Sequence, residues 1–489
     1  MLGGVQGLYV LLSIVRNKLT SILLGVGGVG LIDMYNRTAD LICSSTNLGI
    51  SFCAVQHIAE LYDKGKDAGG APVPARENPA LVESIRLVRS WVACTALAGF
   101  LLTLLLAPVW AYISLGSARH SSMVVVLSPL VAILILSGGE MAILRALRQL
   151  RTIALITIVG AFTTLLITLP VYWVMGTTGI APALVAAAGM LLLMQWYAAQ
   201  RVVPYRLTLG SWRFLKRGCW MLRLGVGYVL TGIVCSGCEL FVRSYIVYYG
   251  SMADAGLFAA GLTLTVTYTR LVFTSMDSDY FPRLSATTGD VQRQNIAINR
   301  QIDVLVLLMA PMLMAFSLFL PIIVPLLYTR DFMETIPMVY AALFYMFFKA
   351  ISSPVAYLSL ARNRSRLYFF VEVSYSLTFL LTAIIGFRLW SVVGVGIALS
   401  ISNFVYLAVV WIVYGKSFGF RMNGATLRRC FLYFCILVVG IGSCALGGET
   451  WQSYAVASAA TVASAGLSAL LLKKEVPMPK RWRRFLSRK

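Results

Sequence analysis

The chain reads as an all-α membrane protein of about fourteen transmembrane helices, and three observations carry that reading. First, its 489 residues are 59% hydrophobic and only 12% charged, with a mean hydropathy of +0.81. A soluble domain carries roughly a quarter charged residues. Second, nearly uncharged stretches such as Trp91–Leu115, Ile153–Met175, Ile302–Tyr328 and Phe431–Leu446 approach or exceed the length a helix needs to cross a hydrocarbon core of ~30 Å. A membrane β-barrel would instead show alternating segments of ~10 residues with polar turns, and none is seen. Third, lysine and arginine collect in alternate loops.

Helices are expected at residues 2–24, 30–55, 88–114, 122–146, 152–175, 179–199, 221–249, 255–275, 301–328, 336–360, 367–388, 392–414, 430–447 and 451–472. Glycines close the first helix at Gly25–Gly30, and five basic residues separate the second from the third. Three more follow the fourth helix around Arg145–Arg151, and six lie in Arg201–Arg223 after the sixth. Beyond the eighth, tenth and twelfth helices come Arg283–Arg300, Arg362–Arg366 and Lys416–Arg429, with three, three and four basic residues. The C-terminal tail adds eight. The other side holds only Arg119, Arg330 and Arg388, and the remaining six of the 41 basic residues lie within helices.

Such an alternation places both termini in the cytoplasm, by the rule that basic loops stay inside, and predicts a multi-pass protein of the bacterial inner membrane. It also accounts for the net charge of +22 without a nucleic-acid partner. The tail Lys480–Lys489 suits a surface of anionic lipid. No basic n-region precedes the first apolar stretch, so no cleavable signal peptide is expected. The nine cysteines fall mostly in apolar segments and read as packing residues. Cys235 and Cys238 have redox spacing but lie mid-helix, outside any βαβ context. The two histidines, His57 and His120, are far apart, so neither a metal site nor a cofactor is expected. Outer loops such as Gly176–Gly179 and Gly447–Thr450 are very short. A membrane glycosyltransferase or polymerase needs a sizeable external loop for its acids and acceptor, so an enzyme is disfavoured and no catalytic residue is expected.

An internal repeat organises the chain. Lys18-Leu-Thr-Ser-Ile-Leu-Leu-Gly25 parallels Arg243-Ser-Tyr-Ile-Val-Tyr-Tyr-Gly250, each with a basic residue seven positions before a turn glycine. Gly30-Leu31-Ile32 then parallels Gly256-Leu257-Phe258. Two pseudo-symmetric six-helix lobes are expected around a central cavity, plus two extra helices. The boundaries are an N-terminal lobe 1–200, a basic linker 201–220, a C-terminal lobe 221–415, helices thirteen and fourteen over 416–472, and a basic tail 473–489. Transporters place the substrate path between such halves.

Several motifs then bear on family. The first helix carries Arg16-Asn17-Lys18 and then Leu24-Gly25-Val26-Gly27-Gly28-Val29-Gly30-Leu31. Asn47-Leu48-Gly49-Ile50 runs on to His57-Ile58-Ala59-Glu60. Asp279-Tyr280-Phe281-Pro282-Arg283-Leu284-Ser285 follows helix eight, and Pro325-Leu326-Leu327-Tyr328 follows helix nine. In order and spacing, along about the whole chain, these resemble the Wzx-type polysaccharide flippases of the multidrug/oligosaccharidyl-lipid/polysaccharide (MOP) exporter superfamily. Gly25-x-Gly27-x-x-Gly30 also fits a dinucleotide fingerprint by spacing, but it lacks the flanking strand.

Charge at membrane depth is the functional signal. An ionisable side chain there costs roughly 2.5–3.5 kcal/mol on insertion scales, so it must find water, a partner or a ligand. Arg16, Lys18, Arg37, Arg243, Arg270 and Lys349 are the intramembrane bases, and their excess suits an anionic cargo. Arg16 and Lys18 stand about 200° apart on an ideal helix, so only one can face a given cavity. The repeat favours Lys18. Arg37, with Asp33 and Asp40 on the same helical face, reads equally as a salt-bridge cluster. Glu239 lies four residues before Arg243. Glu239 and Glu372 are carboxylates of the kind that exchange protons or bind Na⁺, and Asn403 could add a neutral oxygen. Asp277 and Asp279 read as capping or gating residues, and Glu140 as a partner of Arg145 or water.

The resemblance implies a cargo of polyprenyl-pyrophosphate-linked oligosaccharide, a repeat unit of O-antigen, capsule or exopolysaccharide. It further implies alternating access, coupling to H⁺ or Na⁺, and possible partnership with a polysaccharide polymerase or other assembly proteins. Three rivals remain at this point: a multidrug cation antiporter of the same superfamily, a membrane glycosyltransferase or polymerase, and a transport-dead scaffold for a polysaccharide assembly complex.

Overall fold

The computed structural model describes residues 2–64, 76–116, 121–205, 207–208, 216, 218–267, 269–287, 289–362, 364–447 and 450–475. Much of the expected basic linker, and the tail from 476 onward, lie outside the described residues. Among those described, regular structure is entirely helical. In chain order the helices are α1 (Leu2–Thr46), α2 (Ile50–Lys64), α3 (Pro79–Leu105), α4 (Ala107–Leu115), α5 (Ser121–Ala146), α6 (Leu150–Met175), α7 (Ile180–Val202) and α8 (Cys219–Tyr249). Then come α9 (Met252–Leu262), α10 (Arg270–Ala286), α11 (Val291–Leu327), α12 (Ile336–Ala361), α13 (Ser365–Phe418), α14 (Gly424–Leu446) and α15 (Trp451–Glu475).

Among the described residues, ten helical runs are long and apolar enough to cross a membrane. Three of them, Gly7–Thr46, Leu150–Val202 and Ser365–Phe418, hold 40, 53 and 54 residues. At 1.5 Å per residue these would be roughly 60–80 Å long, about twice a bilayer core. Each is therefore two spans, broken at Gly25, at the 3₁₀ turn Gly176–Gly179 and at Trp390–Ser391. The shorter apolar helix Met252–Val266, continued by α10, supplies the fourteenth span. The chain is a multi-pass, all-α membrane protein.

Local chemistry sets the helix ends. Asn78 accepts a hydrogen bond from the Leu81 amide and Pro79 occupies the first turn, so α3 starts before residue 88, where its apolar run begins. Asn423 caps α14 through the Ala425 amide. The break in α1 is a single residue: Gly25 has φ 65° and ψ −170°, which a side chain would strain.

By its contacts the chain divides into two compact units. The first comprises Met1–Ala259 with Leu327–Asp331, the second Ala260–Leu326 with Phe332–Lys489. This division differs from the lobe boundary expected at 201–220, because α8 packs along α1. In the first unit α3 packs on α5 and α5 on α7, around a core that includes Ile42, Ile58, Ile85, Val88 and Ile143. In the second, α12 packs against both arms of α13, with Met338, Leu343, Phe347 and Val395 fully buried.

The residues that the repeat pairs come into direct contact within the first unit. A Cβ on Gly30 would lie 2.4 Å from the Met252 carbonyl oxygen and 2.7 Å from the Gly256 nitrogen. A Cβ on Gly256 would lie 2.0 Å from the Val26 carbonyl oxygen. The contacts are reciprocal, residue 30 on 252 and 256, and 256 on 26, as a local two-fold relation requires. Only glycine allows backbones to approach so closely.

Gly256→Leu is therefore expected to cost about 3 kcal/mol or more and to abolish the folded species. Gly442→Leu, at a glycine with open space around it, is expected to fold. Size-exclusion profiles and melting temperatures of the two variants in detergent check this, and equal behaviour would contradict the close-packing account.

Candidate functional site

Two polar constellations stand out, one in each unit. In the first unit α1 and α8 bring together five ionisable groups. Arg243 is 2% exposed, and its Nε lies 2.6 Å from Asp33 Oδ2. Its Nη1 donates to the Glu239 carbonyl at 3.0 Å and lies 3.7 Å from the Glu239 carboxylate. The guanidinium also sits 5.2 Å from the centre of the Phe258 ring, within cation–π reach. Arg37, more open, reaches Asp33 at 3.5 Å, Asp40 at 3.4 Å and Glu239 at 3.3 Å. Asp33 and Glu239 thus each touch both arginines, and the cluster locks α1 to α8. Ser44 and Ser236 continue the contact one turn on, at 3.3 Å.

The charge count of this cluster is informative. Two guanidinium groups face three carboxylates, so Arg37 and Arg243 add no local excess of positive charge. The burden of holding an anion falls on the other bases.

In the second unit α12 and the two arms of α13 enclose a cavity of about 240 Å³. Lys349, Glu372 and Asn403 all line it. So do Tyr345, Tyr357, Tyr368, Tyr375 and Tyr406. Lys349 Nζ lies 3.0 Å from the Tyr345 hydroxyl. Tyr406 donates its hydroxyl to Glu372 Oε1 at 2.7 Å, and Asn403 Nδ2 donates to the Tyr345 carbonyl at 2.8 Å. Ser352, fully buried on the cavity wall, has no hydrogen-bond partner for its hydroxyl among the described residues. The set offers one ammonium, one carboxylate, a spare hydroxyl and several aromatic faces. It can hold an anionic group on the lysine and stack a flat apolar face, such as that of a sugar ring, on tyrosine.

The remaining expected residues are dispersed. Lys18 gives its ammonium to the Tyr328 carbonyl, and Asn17 lies 3.5 Å from the Tyr328 hydroxyl. Arg16 is half-buried, within electrostatic reach of Tyr172. The side chains of Arg270, Asp277 and Asp279 lie outside the described residues.

One pair is different from the expectation. Glu140 pairs with Arg89 of α3, not with Arg145: Arg89 Nε and Nη2 reach its two carboxylate oxygens at 2.9 Å each. Both side chains are buried, at 2% and 6% exposure. The same guanidinium binds the Val203 and Pro204 carbonyls and lies 4.7 Å from the Tyr205 ring centre. Burial, with Glu140 nearby, pushes the Tyr205 phenol up, so it stays neutral. The group clasps the end of α7 onto α3 and α5. Nothing in the spacing of Arg89 signalled it, since the partner comes from another helix.

Known proteins resemble the chain in family and in fold. A family model described as "Polysaccharide biosynthesis protein" matches residues 82–337. No curated protein sequence matches the chain. Among solved structures, the inward closed conformation of the lipid II flippase MurJ is similar with a TM-score of 0.67 at 13% identity, covering 97% of this chain and 99% of that one. An inward-facing multidrug resistance MATE family transporter of the MOP superfamily gives 0.65 at 14%, covering 88% and 96%. A MOP superfamily transporter from Pyrococcus furiosus, described as having a binding pocket of reverse polarity, gives 0.57 at 16%, covering 85% and 92%. At these identities the likeness establishes the fold.

Asp33→Ala leaves buried Arg243 short of its nearest counter-charge and is expected to cost about 3 kcal/mol. Asp40→Ala removes a half-exposed partner and is expected to cost less than about 1 kcal/mol. The double variant Asp33→Ala/Arg243→Ala should recover part of the loss. Thermal unfolding of the wild type, Asp33→Ala, Arg243→Ala and the double variant in detergent forms the cycle, and strict additivity would mean the pair is not coupled.

Proposed function

The chain belongs to the polysaccharide biosynthesis protein family, and on that premise we propose that it is a flippase for lipid-linked oligosaccharide. Its cargo in this reading is a saccharide on a polyprenyl pyrophosphate, such as a repeat unit of O-antigen, capsule or exopolysaccharide. It works in the inner membrane, with both termini in the cytoplasm. The pyrophosphate and sugars pass through the protein while the polyprenyl tail stays in the bilayer. No catalytic step is required of the chain. An assembly partner such as a polymerase would receive the product outside.

The observation that carries this reading is the cavity around Lys349. A lysine ringed by tyrosines offers an anionic sugar-bearing headgroup both a charge and stacking faces. At about 240 Å³ it is smaller than the 300–1,000 Å³ of ordinary ligand pockets, so it takes a headgroup and not a whole saccharide. Arg16, Lys18 and Arg270 are the further bases proposed to meet the pyrophosphate along its route. Arg37 and Arg243, held by carboxylates, serve better as the brace between α1 and α8, with Asp33 and Asp40. Asp277 and Asp279 are proposed at a gate.

Coupling to an ion fits the same chemistry. The α1–α8 cluster has one carboxylate more than its bases, and Glu239 is 46% exposed. A proton or Na⁺ at Glu239 would neutralise the excess. In the other unit Glu372 and Asn403 are the corresponding candidates. That same negative excess favours a second reading, in which the chain is a multidrug cation antiporter.

Lys349→Ala is expected to lower polysaccharide export at least tenfold at normal protein level, with lipid-linked intermediates accumulating on the cytoplasmic leaflet. Surface glycan staining and leaflet-specific labelling in cells measure both. Unchanged export would remove Lys349 from the route. Resistance to cationic dyes that depends on the chain, without any glycan phenotype, would favour the second reading.

A further inference from the structure

The stretch Asp279–Ser285, prominent in the sequence, has no part in the transport reading beyond Asp279. In the structure its Tyr280 is buried and donates its hydroxyl to the Pro354 carbonyl at 2.8 Å. Leu284 is fully buried as well. Between these two anchors Arg283 is left exposed at the end of α10. After a short turn, α11 brings Arg293 and Arg300, seven residues apart and so on one helical face. Ile296 and Ala297 lie between them on that face.

These residues line an open groove of about 610 Å³. Three of its lining residues are arginines and none is a carboxylate. Asp290 does approach Arg293, at 3.2 Å, but the side chains are 79% and 49% exposed, and such a pair neutralises little. Ile296 is itself 63% exposed, an apolar side chain set among cations.

Position explains the mixture. The helix α11 has 37 residues, about 55 Å, against a hydrocarbon core of about 30 Å. Its apolar run begins near Ile302, so Arg293–Arg300 stands at the level of the lipid headgroups. An arginine fork binds phosphate oxygens in bidentate fashion, and basic pockets at helix ends hold lipid headgroups. A soluble phosphate would have no use for the exposed isoleucine.

We propose that the groove between the end of α10 and the start of α11 binds the phosphate of a lipid, with Arg283, Arg293 and Arg300 on its oxygens and Ile296 and Ala297 against its hydrocarbon. The site goes beyond the transport reading and stands whichever cargo the chain moves. Two lipids share this chemistry, an anionic phospholipid of the bulk membrane and a polyprenyl phosphate.

The test uses the purified full-length chain in neutral detergent, with binding read by native mass spectrometry. The probes are phosphatidylglycerol, a polyprenyl monophosphate, zwitterionic phosphatidylcholine and inorganic pyrophosphate. At least one of the first two is expected to bind about tenfold or more tightly than the last two, an advantage lost in Arg283→Gln/Arg293→Gln/Arg300→Gln. Preference for the polyprenyl lipid would identify a cargo-loading site, equal binding of the two a bulk-lipid site, and either supports the proposal. Pyrophosphate binding as well as the lipids would overturn the apolar part. A well-folded triple variant with wild-type selectivity would overturn the whole. Should the triple variant not fold, Arg293→Gln, at a side chain 79% exposed, decides, with a several-fold loss expected and none contradicting the site.

Discussion

A buried arginine at membrane depth needs a carboxylate within reach, and meeting that need for Arg243 shapes the first unit. Its side chain, 2% exposed, is bound by Asp33 from another helix and by Glu239 from its own. Desolvating an ion costs several kcal/mol, which only close partners and good geometry offset. The helices α1 and α8 therefore cannot slide past one another without stranding a charge. The Gly30–Gly256 contact then brings α1 to backbone distance of α9, the helix that follows α8, so electrostatics ties α1 to α8 and close packing ties it to α9.

The two constellations have different chemical characters. The α1–α8 cluster is saturated with ion pairs, shares its carboxylates between two arginines, and has one acid in excess. It is suited to hold helices and to respond to a proton or a small cation. The cavity of the second unit sets one lysine and one carboxylate, Lys349 and Glu372, among tyrosines, with a Ser352 hydroxyl that has no partner among the described residues. It is suited to receive something from outside the protein. A transporter needs both properties, a part that rearranges and a part that grips.

Much of this was legible in the sequence, and the limits are physical. Length and apolarity marked out the helices, including spans that the structure joins through breaks at Gly25 and at Trp390–Ser391. Helical periodicity put Asp33, Arg37 and Asp40 on one face. It could not show that Glu239 and Arg243 would meet them, because one sequence does not say which faces touch. Local spacing likewise suggested Arg145 for Glu140, whereas Arg89 reaches it from α3. The start of α3 was readable in Asn78-Pro79 but is masked by the polar residues that follow. The tyrosines of the second unit carry no signal of their role in one sequence, since aromatics at helical spacing look alike whether they pack or line a cavity. Lys349 was singled out for the cargo and Glu372 with Asn403 for ion coupling, and only the structure brings the three to one cavity.

The account stands most directly on a translocation assay with purified protein in vesicles. A polyprenyl-pyrophosphate saccharide placed in one leaflet is followed by its exposure to a membrane-impermeant lectin or quencher. Vesicles holding the wild-type chain are predicted to expose the saccharide far faster than protein-free vesicles, and faster still with a proton or sodium gradient. Exposure at the protein-free rate, in vesicles where the chain is folded and carries a cationic dye, would contradict it.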